Sequence, residues 1–365
     1  MDRLIVSGAG PLGWSPAIPG GLPPGTGPAD RSTVSVMIST AAPTTDTNLD
    51  AHEAAAPGPP LRRPVLVLAA LVALAVAFLW REQAAPVDHR QSLMPVDANI
   101  VLAASIVAMI VVEVAARRIR RRSIDARDSI TSMTIGLGYF GIGAVFGKVV
   151  AFGLYLWVFE HLRLFDLSWR TPLVWFGYWI VGDLASYWIH RAEHRVRVLW
   201  CSHQVHHSST DFSFTTAVRM PWTEMLYKPV TGLWAPLLGF PPIMYPVMGA
   251  LSLMVGQLQH TDLIGRLGVL DRWLMTPSNH RVHHASNRAY LDRNFGGHTV
   301  VFDRLFGTYQ PELASVPPVY GLTHPVEAST SLAVVAGGYP ALGRDLLGAR
   351  SWRRRAQLCV APPAA

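Results

Sequence analysis

The residues of this chain most able to do chemistry are histidines in three short clusters. HRAEH occupies 190–194, HQVHH occupies 203–207, and HRVHH occupies 280–284 after a hydrophobic interval. On a helix, residues three or four apart lie on one face, so the imidazoles of one cluster can share a metal ion. With one isolated histidine, the clusters supply more imidazoles than one metal ion can bind while it leaves a position for substrate. We therefore predict two metal ions, and the residues that bind them are His190, His194, His203, His206, His207, His260, His280, His283 and His284. All-imidazole ligand sets suit iron, copper or zinc.

The first cluster also allows a second interpretation. HRAEH matches the H-x-x-E-H form in which two histidines bind one zinc ion and the glutamate acts as the base, which would make the chain a membrane metallohydrolase using Glu193. Such a site needs about three protein ligands and leaves the other clustered imidazoles unexplained. We therefore place Glu193 outside the ligand set. A non-enzymatic membrane protein that stores or transports metal is a third possibility, disfavoured because clusters outside the apolar segments do not line a path across a bilayer.

The elements that position these histidines are apolar segments. Of the 365 residues 50% are hydrophobic and 15% are charged, which indicates a membrane protein. We predict an all-α polytopic fold with about four spans and a re-entrant hairpin, capped by a His-rich helical domain on the cytoplasmic side. The predicted spans lie at 64–80, 98–116, 130–159 and 171–190, and the hairpin at 222–259 turns at Gly239–Pro242.

The positive charge of the chain lies in arginine runs beside apolar segments. They are Arg62–Arg63, Arg117 to Arg122 and Arg353 to Arg355, and the formal net charge is +7. This pattern is typical of anchoring near anionic headgroups on the cytoplasmic side, not of nucleic-acid binding. It predicts an integral membrane protein with its His-rich site on the cytoplasmic face. Two cysteines are too few for a disulfide framework.

Ligating histidines generally donate their second N–H to an outer acceptor. Asp183, seven residues before His190 and on the same helical face, is the best candidate within an apolar segment. Further candidates are Asp211, Glu224, Asp292 and Asp303.

Five stretches together resemble the fatty acid hydroxylase and sterol desaturase superfamily of membrane di-iron enzymes. They are DLASYWIHRAEH from Asp183, HQVHHSS from His203, the isolated His260, TPSNHRVHH from Thr276, and NFGGHTVVFDRLFGTY from Asn294. The similarity runs from about Arg122 to Tyr309, and TPSNHRVHHASNRAYLDRNFGG looks most like the alkylglycerol monooxygenase branch. The resemblance implies that the nine histidines bind two iron ions, and that dioxygen and two electrons are required.

The sequence departs from that pattern at two places. Many sterol and fatty acyl members carry Arg-x-His-Pro-x-Glu after the second cluster; here Arg219 and Glu224 remain but Pro221 replaces the histidine, and Asn279 stands where ether-lipid relatives have another histidine. We expect an Arg219–Glu224 pair to hold the loop over the site. Asp183, Arg219 and Glu224 are thus the predicted residues that support catalysis.

The resemblance implies a non-haem di-iron monooxygenase, hydroxylase or desaturase. Its expected reaction is O2-dependent hydroxylation, or desaturation, of a lipid, sterol-like or fatty-acyl hydrocarbon. The sequence shows no flavin, nicotinamide or haem motif, so electrons would come from a separate reductase, cytochrome or ferredoxin, or from a small donor such as tetrahydrobiopterin. The predicted organisation is a disordered segment at 1–60, a transmembrane hairpin at 61–120, the di-iron domain at 121–310 and a tail at 311–365.

Overall fold

The computed structural model describes residues 96–324 and 330–363. Within these ranges the chain is helical, and its only extended pairings are the isolated bridges Leu274–Thr299 and Ala285–Tyr320. The prediction of an all-α fold is therefore confirmed. The segment predicted to be disordered at 1–60 and the first predicted span at 64–80 lie outside the described residues.

The α-helices follow one another in chain order with short connections. They are α1 Val96–Ile119, α2 Ala126–Phe146, α3 Phe152–Leu162, α4 Pro172–Arg195, α5 Arg197–His207, α6 Phe214–Ala217, α7 Lys228–Thr231, α8 Trp234–Leu237, α9 Met244–Gln259, α10 Pro277–His284, α11 Val301–Phe306, α12 Ser331–Ala336, α13 Tyr339–Gly348 and α14 Trp352–Val360. A π-helical turn, Gly147–Ala151, joins α2 to α3, and 3-10 turns occupy Trp222–Leu226 and Gly268–Arg272.

The later apolar segments of the sequence form the longest helices. The segment at 98–116 lies in α1, the segment at 130–159 lies in α2 and α3 with the π-turn between them, and 171–190 begins α4. Through the ranges 96–324 and 330–363, no helix combines the length and apolar character needed to cross a bilayer.

The predicted hairpin at 222–259 has two unequal arms. Its second arm is the single helix α9, whereas its first arm is a 3-10 turn followed by the four-residue helices α7 and α8. Pro229 and Pro236 interrupt the first arm because proline cannot donate the backbone hydrogen bond that a longer helix needs. The turn itself requires glycine: Gly239 has φ +85°, and a Cβ there would lie 1.7 Å from the carbonyl oxygen of Phe165.

A buried apolar cluster joins α3, α4, α8 and α9. Its members are Tyr155, Phe159, Leu167, Val174, Tyr178, Ala235, Phe240, Met244 and Met248. The hydroxyl of Tyr155 donates to the carbonyl of Phe240 at 2.8 Å, so the only polar group of that ring is satisfied inside the cluster. This packing holds α4, which carries the first histidines, against α9, which ends beside His260.

Arg117 connects the end of α1 to the loops around the histidines. Its guanidinium is buried and lies 2.9 Å from carboxylate oxygens of both Asp211 and Asp262, and it donates to the carbonyl of Phe212 at 2.6 Å. For this residue the predicted contact with headgroups is wrong, because three partners surround it in the interior. The neighbouring Arg118 and Arg120 to Arg122 are exposed, as a headgroup contact would require.

Candidate metal centre

The first two histidine clusters meet because the chain reverses at one residue. Helix α4 runs on to Arg195, Val196 is extended at φ −113° and ψ 115°, and α5 begins at the next residue. The side chains of α4 and α5 therefore face each other, and the Nε2 atoms of His190 and His203 lie 3.0 Å apart.

The third cluster lies on α10, which starts with strong capping chemistry. Thr276 accepts a hydrogen bond from the backbone of Asn279 and Pro277 occupies the first turn, both typical of a helix start. The amide of Asn279 also donates to the carbonyls of Asp271 and Leu274, which ties the helix start to the preceding loop. Asn279 thus has a structural role at the position where the sequence departs from ether-lipid relatives.

All nine predicted ligands come together, and they do so in two groups. Within each group the candidate ligand atoms lie within 4.8 Å of one another. The five-histidine group comprises His190, His194, His203, His207 and His283, and the four-histidine group comprises His206, His260, His280 and His284. Eight of these side chains are buried and His190 is partly buried.

In two of these imidazoles, a hydrogen bond made by Nδ1 to a backbone carbonyl shows which ring nitrogen carries the proton and which carries the lone pair. Nδ1 of His260 lies 2.7 Å from the carbonyl of Gly256, and Nδ1 of His206 lies 3.3 Å from the carbonyl of Arg219. A carbonyl oxygen only accepts, so each Nδ1 carries the proton and each Nε2 carries a lone pair. Yet these two Nε2 atoms are 3.1 Å apart. Two lone pairs at that distance repel each other, and a cation bound by both nitrogens would remove the repulsion.

The inward nitrogens have the spacing that a shared ion needs. Neighbouring Nε2 atoms lie 3.0 to 3.2 Å apart in both groups. A zinc ion lies about 2.1 Å from an imidazole nitrogen that binds it. Two such nitrogens that bind one ion at right angles to each other are therefore about 3 Å apart. In the described ranges, Nε2 of His194 and Nε2 of His283 are buried without a hydrogen-bond partner. The residues therefore fit two metal ions.

A loop after α10 supplies outer acceptors to three ligands of the five-histidine group. His190 Nδ1 donates to the carbonyl of Phe295 and His283 Nδ1 to the carbonyl of Arg293, each at 2.9 Å, while Asp292 Oδ1 lies 3.5 Å from His194 Nδ1. Sequence reasoning included Asp292 among its candidates but missed the two carbonyls, because every residue carries a carbonyl and no side-chain pattern marks it.

Burial keeps these imidazoles neutral. Desolvation lowers the pKa of seven of them well below the ordinary histidine value, and neighbouring imidazoles lower several further: His194, His203, His206, His207, His280, His283 and His284. For His260, desolvation lowers the pKa to about 4. Neutral imidazole is the form that binds metal, so the unprotonated ligand set is present at neutral pH.

Asp183 does not contact the nine candidate ligands, so its predicted role as their outer acceptor is wrong. Its buried carboxylate accepts from the backbone N–H of His298 at 2.7 Å and from the hydroxyl of Thr299. In the part of the chain that the structure describes, it accepts no hydrogen bond from the nine candidate ligands. Two helical turns separate it from His190, which is too far for direct contact. Asp183 instead attaches the loop before α11 to α4.

The predicted Arg219–Glu224 pair is also not formed. The buried guanidinium of Arg219 lies 2.6 Å from Asp128 Oδ1 and donates to the hydroxyls of Ser132 and Ser208 at 3.0 Å. The backbone carbonyl of Arg219 is the acceptor for His206. Its contribution to the site is thus to hold the backbone that orients one ligand.

Glu224 and Glu193 both lie behind His203. Each places a carboxylate oxygen 3.4 Å from Nδ1 of His203, on the side of the ring away from the other ligands. The ammonium of Lys228 lies 2.5 Å from Glu224, and the hydroxyl of Tyr227 donates to Glu193 at 2.7 Å. A metal ion could also be held between Glu193, Glu224 and His203, whose candidate ligand atoms lie close together. The ammonium of Lys228, however, already supplies a positive charge beside these two carboxylates. Sequence reasoning missed Lys228 because it lies within a predicted apolar segment.

Comparison with known proteins shows what the region around these histidines is similar to. Residues 175–308 match the family model described as fatty acid hydroxylase, and this range contains all nine histidines. These residues are thus similar to a fatty acid hydroxylase domain, and the resemblance of the chain to the fatty acid hydroxylase and sterol desaturase superfamily is confirmed.

Two of the similar proteins are alkylglycerol monooxygenases, consistent with the branch that the third cluster indicated, and a third is a lipid hydroxylase. The chain is 36% identical over 208 residues to alkylglycerol monooxygenase of Homo sapiens, covering 57% of this chain and 46% of that protein. It is 36% identical over 199 residues to the Xenopus tropicalis alkylglycerol monooxygenase, covering 54% and 44%. It is 30% identical over 171 residues to the ornithine lipid hydroxylase OlsE of Rhizobium tropici, covering 46% and 51%. The chain spans about half the length of these curated relatives. No solved structure matches it.

Proposed function

We propose that this chain is a two-metal, O2-dependent oxygenase that hydroxylates, or desaturates, the hydrocarbon part of a lipid at a membrane. The observation that carries the proposal is the convergence of nine imidazoles into groups of five and four with inward lone pairs. A pair of bound iron ions would supply the activation of dioxygen that attack on an unactivated C–H bond needs.

The protein groups around the ions hold the ligands and exclude water. Phe212 stacks on His260 with ring centroids 5.5 Å apart, and Phe295 lies 5.2 Å from the ring of His194. At least one aromatic ring thus borders each histidine group. A water-poor site of this kind protects a reactive oxidant from side reactions and suits a hydrocarbon substrate.

Exposed apolar side chains support the proposed membrane location. Val107, Val111 and Val112 are exposed on α1, as are Val269 and Trp273 in the loop before α10. We propose an integral membrane protein with its histidine site on the cytoplasmic face, and we retain the predicted boundaries of 61–120 for a membrane hairpin, 121–310 for the di-iron domain and 311–365 for the tail.

The names of the relatives suggest the first substrates to test. An alkylglycerol, an ornithine lipid and a sterol are the candidates, since one relative is the sterol desaturase ERG3B of Gibberella zeae, 23% identical over 151 residues. Electrons would come from a separate reductase, cytochrome or ferredoxin, or from a small reductant such as tetrahydrobiopterin.

The test is metal analysis of the purified full-length chain, followed by incubation with each lipid, a reductant and isotopically labelled dioxygen. Two irons per chain and label in a hydroxylated lipid support the proposal, as does loss of two hydrogens from the acyl chain. One firmly held zinc, with lipid hydrolysis and no need for dioxygen, would contradict it.

The zinc hydrolase alternative makes an opposite prediction for Glu193. It requires Glu193→Gln to be inactive, because the carboxylate would act as base. In the structure this carboxylate faces the outer nitrogen of His203, so we expect Glu193→Gln to retain measurable oxygenase activity.

A further inference from the structure

Backbone carbonyls are outer acceptors in both histidine groups, but the five-histidine group also has carboxylates in that position. In the four-histidine group, His206 and His260 donate to the backbone carbonyls of Arg219 and Gly256. In the five-histidine group, His203 faces two carboxylates at 3.4 Å and His194 faces a third at 3.5 Å. A carboxylate acceptor makes the imidazole a more basic metal ligand than a neutral carbonyl does.

Two buried carboxylates beside one imidazole need a compensating cation. Glu193 and Glu224 are both almost fully buried, and each contacts Nδ1 of His203. Without a counter-charge, two buried carboxylates this close to one imidazole repel each other. The ammonium of Lys228 provides the counter-charge, at 2.5 Å from Glu224 and 3.8 Å from Glu193.

Lys228 reaches this position because of the local helix geometry. It stands four residues after Glu224, across a 3-10 turn and the start of α7, so both side chains project to the same side. The preceding residue, Tyr227, donates its hydroxyl to Glu193 at 2.7 Å. Consecutive residues thus bind the two carboxylates that flank His203.

We propose that Lys228 is a positioning residue that acts through Glu193 and Glu224 on His203 and makes the five-histidine group the tighter of the two metal sites. The inference rests on the proposed function, since it requires that both groups bind metal. Lys228 contacts neither a ligand nitrogen nor the interior of the site. Its effect therefore appears first in metal retention.

The experiment measures release of iron from the full-length chain in detergent. The anaerobic protein is loaded with ferrous iron, mixed with excess chelator, and followed by the absorbance of the chelate. Wild type should release its ions in a fast and a slow phase. Lys228→Met should accelerate the slow phase by about 10- to 100-fold, the usual cost of losing an outer partner of a ligand, and leave the fast phase unchanged.

Conservative and control variants separate positioning from folding. Lys228→Arg keeps the charge and should restore most of the slow phase. Glu224→Gln keeps the side-chain shape, and should accelerate the slow phase if Lys228→Met cannot be purified. Arg197→Met removes an exposed ion pair with Asp345 that touches no histidine, and its two phases should match wild type.

The results that overturn the inference are distinct from those that overturn the proposed function. Equal acceleration of both phases, or no change in either, in Lys228→Met and Glu224→Gln would refute a role of Lys228 in one site. A wild-type chain that binds no iron would refute the proposed function, and the inference with it.

Discussion

Asp303 offers the sharpest test of how the fold supports the metal centre. Its fully buried carboxylate accepts from the backbone N–H groups of Phe295 and Gly296 at 2.7 and 2.9 Å, and from the hydroxyl of Thr308 at 2.7 Å. The carbonyl of Phe295 is the acceptor for His190. Asp303→Ala therefore removes the anchor of the loop that orients a ligand.

The expected loss follows from the three hydrogen bonds. Each is worth about 1.5 kcal/mol, because leaving a buried donor unsatisfied is costly, so the variant should lose about 4.5 kcal/mol. With an unfolding entropy of about 2.1 cal/mol/K per residue over 365 residues, the midpoint of thermal unfolding should fall by roughly 6 °C. Asp303→Asn keeps one acceptor oxygen and should lose about half as much.

The assay combines thermal unfolding in detergent with metal analysis of the same preparation. We expect Asp303→Ala to unfold at a lower temperature and to lose metal from the five-histidine group, because the loop no longer fixes the ring of His190. The matched control is Asp345→Ala, whose carboxylate pairs with Arg197 at the surface and should contribute less than about 1 kcal/mol. Equal unfolding temperatures and metal contents for the two alanine variants would refute this reasoning.

Three further outcomes test other parts of the structure. His206→Ala and His283→Ala remove one ligand from different groups, so each should abolish product formation and lower bound metal; wild-type activity in both would contradict the ligand assignment. Arg117→Met removes a buried cation from partly buried Asp211 and buried Glu113 and should cost about 3 kcal/mol by thermal unfolding, whereas an unchanged midpoint would show that the pairs contribute nothing. In the metal-free protein the imidazoles have a lower pKa folded than unfolded, so the unfolded chain binds more protons and stability should fall as pH drops from about 6.5 towards the value of about 4 for His260. Unfolding midpoints across that window that stay constant would contradict neutral buried ligands.

The candidate ligand set could be proposed from the sequence because its spacing is local. Histidines three and four apart share a helix face whatever the tertiary structure, and all nine candidates do converge. The turn at Gly239–Pro242 could also be predicted from the sequence, because proline and a left-handed glycine cannot continue a helix.

The outer partners were harder to predict because they come from distant parts of the chain. Asp183 shares a helix face with His190, yet it binds the backbone of His298. Arg219 and Glu224 stand five residues apart, yet they pair with Asp128 and Lys228.

The sequence by itself thus determined which side chains are candidate metal ligands, because ligand type and helical spacing are properties of short segments. Only the tertiary structure decided how the nine divide into five and four, which carbonyls and carboxylates orient them, and that Arg117 and Lys228 serve as interior cations. The physical reason is that a buried charge or N–H takes the partner that packing brings within about 3 Å, and sequence separation does not limit that choice.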